Sequence, residues 1–164
     1  MTHPIWSNIF RGFQRKASKT EVALKLVPVF EKLKKRELKE IKKIVHRREF
    51  LKDEYVFKFS TPGLGMYIII EGEIVIEGED GTEFARLGNG DFFGETALIS
   101  EDKRSASARA QSDTQVIAFF RSDLLEIIRR NPVFGTKILF NLANIMAKRL
   151  KKSNTLIQQK ESDL

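Results

Sequence analysis

The sequence predicts a mainly β domain, an antiparallel barrel or sandwich with helices at both ends. Three observations lead there. Residues 49–120 are a succession of short β-branched and aromatic runs separated by Gly, Asp and Asn. The segments on either side carry apolar residues at helical spacing. Charge follows the same division. Residues 1–50 hold 14 Lys and Arg against 5 Asp and Glu, residues 51–120 hold 6 against 13, and residues 121–164 hold 9 against 4. The middle is therefore acidic and both ends are basic, within a net charge of +7.

A chain of 164 residues is long enough for one domain with a proper core. Its 41% hydrophobic and 31% charged residues are ordinary for a globular protein. The longest apolar run, Met66 to Ile70, falls far short of the ~20 residues of a membrane-spanning helix and reads as a buried strand. No signal-peptide stretch opens the chain. With no cysteine there is no disulfide, thiolate nucleophile or thiolate metal site, and a cytoplasmic location is expected. The Met1 start and polar tail suggest a stand-alone chain.

In chain order, residues 1–19 form an amphipathic segment in which Ile5, Trp6, Ile9, Phe10 and Phe13 stand beside Arg11, Arg15 and Lys16. It is expected to pack on the domain itself or on a second subunit, with a membrane surface or a protein partner as the alternative. The domain proper spans 20–160. Helices are expected over 20–48, with an apolar stripe of Val29, Phe30, Leu33, Leu38, Ile41, Ile44 and Val45 broken near Lys34 to Arg36. Pro28 suits the start of a short helix. The basic helix faces read as solvated, with nucleic-acid binding as the alternative.

Six strands are expected within 49–120: Tyr55 to Phe57, Met66 to Ile70, Glu73 to Ile76, Glu83 to Leu87, Ser105 to Ala110 and Gln115 to Phe119. Asp80-Gly81 between two such runs predicts a hairpin. Two helices follow over 121–155. Asp123, with Glu126 three residues on, resembles the capping box of the first. Asn131-Pro132 ends it, because a residue before proline avoids the α region. The second starts near Phe134, with the stripe Phe134, Ile138, Leu142, Ile145 or Met146, and Leu150; the polar tail after it is expected to fray.

The chemistry concentrates in GNGDFFGETALISEDKRSASARA, residues 88–110. Gly94 permits a tight turn and close approach of backbone to a ligand. Glu95 to Leu98 can form one helical turn whose free N–H groups favour an anion. Arg104 offers a planar fork matched to phosphate oxygens. Glu95 would repel a phosphate, so its presence needs a donor such as a ribose hydroxyl. Phosphate with ribose means a nucleotide.

FGETALISEDKRSAS resembles the phosphate-binding cassette of cyclic-nucleotide-binding domains, usually written FGELAL, a short loop, then PRxA(T/S), and the nine-residue step from Glu95 to Arg104 matches it. LKLVPVFEKL, MYIIIEGEIVI and LGNGDFFGE extend the likeness from about Leu24 to Leu150. The resemblance implies a jelly-roll β-barrel, a double-stranded β-helix, with N-terminal helices and two C-terminal helices. It implies a non-enzymatic sensor of cAMP or cGMP. Glu95 would accept the ribose 2′-hydroxyl and Arg104 would bind the cyclic phosphate, with Gly94, Thr96, Ala97, Ser105 and Ser107 lining it. Lys103 departs from the usual proline and Thr96 from the usual aliphatic residue. The glycine usual before the Tyr55 strand is lacking. Met146 and Leu150 are candidates for a lid over the base, or else belong to a plain core stripe. Ser105 implies modest selectivity, with cAMP slightly ahead.

Two histidines, His3 and His46, make no metal cluster, and no nucleophile and base are arranged for catalysis. His46 is expected at a helix end. Relatives of this type continue into a DNA-binding helix-turn-helix or far larger domains, for which the chain has no room. Output is expected through a homodimer, another protein, or a larger protein of which this is a part. The competing reading is a scaffold protein with a vestigial pocket, in which Glu95 and Arg104 merely pair with each other.

Overall fold

The computed structural model describes residues 18–162, so most of the amphipathic segment expected over 1–19 lies outside the described residues. Helix α1 (Lys19–Leu26) starts on Ser18, whose hydroxyl accepts from the Glu21 N–H at 3.3 Å. Pro28–Phe30 form a 3-10 turn, and α2 (Lys35–Ile44) begins at the predicted break. The Glu37 carboxylate accepts from the Lys34 N–H at 2.6 Å and satisfies a free donor of the first turn.

Helix does not continue to residue 48 as expected. Strand β1 (His46–Phe50) begins two residues after α2, and His46 is its first residue, its ring 5.1 Å from that of Phe120. The sequence HRREF hides this strand because β1 is an edge, mostly exposed, with no apolar alternation to read. The other strands are β2 (Tyr55–Phe57), β3 (Gly65–Glu71), β4 (Ile74–Glu77), β5 (Glu83–Leu87), β6 (Phe92–Phe93), β7 (Ser107–Ala110) and β8 (Thr114–Phe120). They form two four-stranded sheets, ordered β1-β8-β3-β6 and β2-β7-β4-β5, with antiparallel pairs throughout. This is the jelly roll with flanking helices, built as two facing layers. The β4–β5 hairpin turns at Asp80-Gly81 as predicted, with the Asp80 carboxylate accepting from the Thr82 N–H at 3.0 Å.

The run Met66 to Ile70 is continuously apolar because β3 is buried on both faces. Met66, Ile68 and Ile70 join Ile117 and Phe119 of β8 under the helices, while Ile69 and Val116 face Ile74, Ala108 and Ala110 between the sheets. Ser105 and Ala106, expected in a strand, precede β7 and stay in the connecting loop.

Helix α3 (Arg121–Arg130) starts two residues before Asp123, so Asp123 is not its cap. It lies in the first turn, where its carboxylate accepts from the Phe120 N–H at 3.0 Å. Asn131 is extended before proline, and its side-chain oxygen accepts from the Phe134 N–H at 3.1 Å, opening α4 (Pro132–Ser162). A Cβ at Gly135 would lie 2.5–2.8 Å from Ile128, so glycine lets α4 cross closely over α3. Rather than fraying, α4 stays helical to Ser162, since Leu, Gln, Lys and Glu favour helix there and its sequence holds no Gly or Pro after Gly135. Among the described residues no helix is long and apolar enough to cross a membrane.

Candidate functional site

A cavity of ≈ 540 Å³ lies where the loop between β6 and β7 meets β4, β5 and α4. Gly94 follows β6 in the left-handed region at φ 72°, and the turn Glu95–Leu98 starts from it as a 3-10 helix. An added Cβ at Gly94 would stand 2.6 Å from Arg104 Nη1, so the close approach as well as the backbone angle requires glycine.

Arg104 is 6% exposed and is fixed from several sides. Its N–H donates to the Thr61 carbonyl and its carbonyl accepts from the Ser60 N–H, each at 2.8 Å. The neighbouring Lys103 bridges Pro62 through the backbone, so strand-like pairing supports the loop where the resembled motif has proline. At the guanidinium, Nη1 donates to the Gly94 carbonyl at 3.1 Å and Nη2 to the Gly65 carbonyl at 2.7 Å. The group lies 3.9 Å from the centre of the Phe57 ring, which packs with Tyr67 and Phe93. Burial pulls the Arg104 pKa down from its ordinary value, while Tyr67 and the Glu95 carboxylate pull it up. The charge persists at any ordinary pH. Arg104 is thus a desolvated cation held on neutral carbonyls, which favours an anion beside it.

Glu95, 2% exposed, is the second buried charge. Glu95 and Arg104 do not pair with each other. Glu95 Oε1 accepts instead from Arg149 Nη1, far along α4, and the Arg149 guanidinium lies 5.4 Å from the centre of the Phe92 ring. The competing reading of a self-satisfied Glu95–Arg104 pair is not what the contacts show, since the neutral Gly65 and Gly94 carbonyls hold the arginine. Among the described residues, two buried side-chain polar atoms have no hydrogen-bond partner: Arg104 Nε and Glu95 Oε2. Buried polar atoms are nearly always satisfied, so a pair of orphans in one cassette points to a ligand with an acceptor for one and a donor for the other.

The cavity brings together Gly94, Glu95, Thr96, Ala97, Arg104 and Ser105 of the residues read from sequence. Ser107 is not part of its lining; its buried hydroxyl accepts from the Phe59 N–H at 2.9 Å and ties β7 to the loop between β2 and β3. Met146 and Leu150 do not line it either. Met146 packs on the helical core and Leu150 is 63% exposed. The residue of α4 that reaches the cavity is Arg149. Its signal was present in the stripe, because Ile138, Leu142, Ile145 and Arg149 are spaced four, three and four apart, and the next position on the buried face is 149 rather than 150. Sequence reasoning also missed the apolar wall of Ile76, Ala85, Leu87 and Phe92. Among the described residues no group of three or more His, Cys, Asp or Glu could hold a metal ion.

Comparison with known proteins bears on the family and the fold. The family model for the cyclic nucleotide-binding domain matches residues 47–131, just over half of the chain. The chain is 33% identical over 132 residues to a cyclic AMP receptor protein of Thermus thermophilus, covering 77% of this chain and 59% of that protein. It is 30% identical over 106 residues to a cyclic nucleotide-gated potassium channel of Mesorhizobium japonicum, covering 65% and 29%. The chain therefore spans less than two thirds of the length of either. Among solved structures, the Thermus thermophilus catabolite activator protein superposes with a TM-score of 0.72 at 31% identity, over 82% of this chain and 63% of that one. A cyclic nucleotide-binding domain from Methylobacillus flagellatus superposes at 0.74 with 21% identity, over 92% and 84%, and shares the fold.

Proposed function

The chain belongs to the cyclic nucleotide-binding domain family, and from that premise we propose that its cavity takes cAMP or cGMP and signals occupancy, without chemistry, through α4. The observation that carries this reading is the pair of buried orphans, Arg104 Nε and Glu95 Oε2. A cyclic phosphate supplies an anionic acceptor for the first. A ribose 2′-hydroxyl supplies a donor for the second. Each charged hydrogen bond is worth about 1.5–3 kcal/mol. The ≈ 540 Å³ of the cavity is within the usual range for small-ligand sites, and Ile76, Leu87 and Phe92 offer the apolar surface a purine needs.

Selectivity between the two nucleotides is modest in this reading. Ser105 is exposed at the cavity, and a hydroxyl that serves the phosphate does not discriminate between bases. One hydrogen bond to a base would give at most about a tenfold preference. We place cAMP slightly ahead, in keeping with the likeness to a cyclic AMP receptor protein. The output passes to a second copy or to another protein in the cytoplasm.

Calorimetric titration of the full chain with cAMP and with cGMP tests the proposal. Saturable binding of both is expected, weakened at least about tenfold in Arg104→Ala through the lost charged contacts, with a thermal transition that remains cooperative. No heat from either nucleotide at millimolar concentration would leave the scaffold reading in its place; an unchanged affinity in the variant would remove Arg104 from the binding site.

A further inference from the structure

The exposed cations of this chain are unevenly neutralised. On the β-roll and on α3, arginines sit on carboxylates: Arg86 on Glu73 and Glu83, and Arg129 and Arg130 on Glu126. Helix α2 differs. Its inward side is set by the fully buried Ile41. Helical geometry puts Lys35, Arg36, Lys39, Lys42 and Lys43 on the opposite side, and all five are exposed. Lys42 and Lys43 have carboxylate neighbours, Glu21 at 3.5 Å and Glu40 at 3.0 Å. Among the described residues Lys35, Arg36 and Lys39 have no ion-pair partner. Lys35, Lys39 and Lys43 also follow one another at i, i+4, where like charges cost helix stability. A face that works against its own helix is explained by a partner that brings negative charge. The basic stretch runs on into β1, where Arg47 and Arg48 are exposed.

Residues 1–17 join the molecule at this surface. At the start of α1, Thr20 Oγ1 accepts from Arg47 Nε at 3.0 Å and Nη2 at 2.6 Å, and Glu21 is the carboxylate beside Lys42. The sequence of 1–17 holds Ile5, Trp6, Ile9, Phe10 and Phe13 at helical spacing, with Arg11, Arg15 and Lys16 and no Asp or Glu. Aromatic and aliphatic residues joined to cations are the composition of segments that lie in a membrane interface. We propose that the basic face of α2, together with the segment that precedes α1, binds the surface of an anionic lipid bilayer. The cations meet the headgroups, and Trp6 with its apolar neighbours enters the interface. Residues 51–120, with 13 Asp and Glu against 6 Lys and Arg, are repelled by such a surface, so the β-roll turns away from it. A nucleic acid would suit the cations as well, but it offers no apolar interior for Ile5, Ile9, Phe10 and Phe13. The proposal goes beyond the nucleotide reading of the cavity and does not rest on it.

Vesicle flotation with the full chain tests the proposal, using phosphatidylcholine alone and phosphatidylcholine mixed in equal parts with phosphatidylglycerol. The chain should float with the mixed vesicles only, and less as salt is raised. Replacing Lys35, Arg36 and Lys39 together by glutamine should weaken partitioning about a hundredfold, since each cation near an anionic surface is worth about fivefold. That variant should unfold no lower than the wild type, because it loses no ion pair and relieves repulsion along α2. Trp6→Ala should weaken partitioning about tenfold through lost apolar burial. Equal binding to both kinds of vesicle, or binding to neither, would overturn the proposal. So would wild-type partitioning by the triple variant or by Trp6→Ala. A mixed-sequence DNA duplex that holds the chain more tightly than the anionic vesicles at the same ionic strength would make nucleic acid the partner and overturn it equally.

Discussion

From Phe134 to Ile145, α4 is held by the core; beyond that, it meets the candidate cavity through Arg149. The first half buries Phe134, Ile138, Leu142 and Ile145 among residues of α1, α2, β3 and β8. Polar contacts reinforce it. Lys137 Nζ donates to both Glu37 oxygens at 2.7 and 2.9 Å, and the Asn141 amide bridges the Val29 and Glu31 carbonyls at 3.0 and 2.8 Å. In the second half Met146 still touches the core, but Lys148 to Thr155 are exposed, and Arg149 meets the β-roll at Glu95 and Phe92. One helix thus carries a segment packed in the core and a segment that reaches the candidate cavity. In the proposed reading only the second answers to a ligand, because a ligand shifts an equilibrium only where it contacts the two states differently.

The comparison breaks most visibly in stability. Leu142→Ala should lower the unfolding free energy by about 2–5 kcal/mol, the cost of a cavity in a packed core. Leu150→Ala should stay within about 0.5 kcal/mol, as exposed positions do. Urea denaturation of the two variants measures both, and comparable losses would erase the distinction. Gly94→Ala should act on the other half. It forces a left-handed residue onto a side chain and pushes a Cβ against Arg104, so nucleotide affinity should fall at least about tenfold. The unfolding free energy should change by only about 1–2 kcal/mol. Titration and denaturation of the same preparation separate the two effects.

A smaller effect should appear on acidification. Burial raises the Glu37 pKa, but hydrogen bonds from Lys137 and the Lys34 N–H outweigh it and hold the carboxyl below its ordinary 4.5. A carboxylate with a depressed folded pKa contributes stability that is complete above the unfolded value and is lost as pH falls through the folded one. Glu37→Gln should therefore flatten the stability profile below about pH 4.5 while changing nucleotide affinity little. A variant profile as steep as the wild type's would remove Glu37 from the anchoring of the first half.

What the sequence revealed and concealed follows the same physics. Gly94, Glu95 and Arg104, which the structure brings to one cavity, stood out in the sequence because they match a short motif at fixed spacing, and Asn131-Pro132 because proline constrains its neighbour. β1 was hidden, since an exposed edge strand has no need of apolar alternation and HRREF reads as the end of a charged helix. The wall of Ile76, Leu87 and Phe92 was hidden for the opposite reason: its residues resemble any others on an inward strand face, and only the fold shows that they face a cavity. Arg149 lay in plain view on the stripe of Ile138, Leu142 and Ile145. It was passed over because a cap over a base was sought among apolar residues, whereas the partner waiting there was the buried carboxylate of Glu95.

Hydrogen exchange of the backbone amides, with and without saturating cAMP, tests the central claim directly, because it reads both halves of α4 in one experiment. The account predicts that nucleotide slows exchange between residues 146 and 155 and in the turn Glu95–Leu98, while the amides from 134 to 145 exchange at the same rate in both conditions. Equal protection of both halves, or none in the second half despite a bound nucleotide, would contradict it.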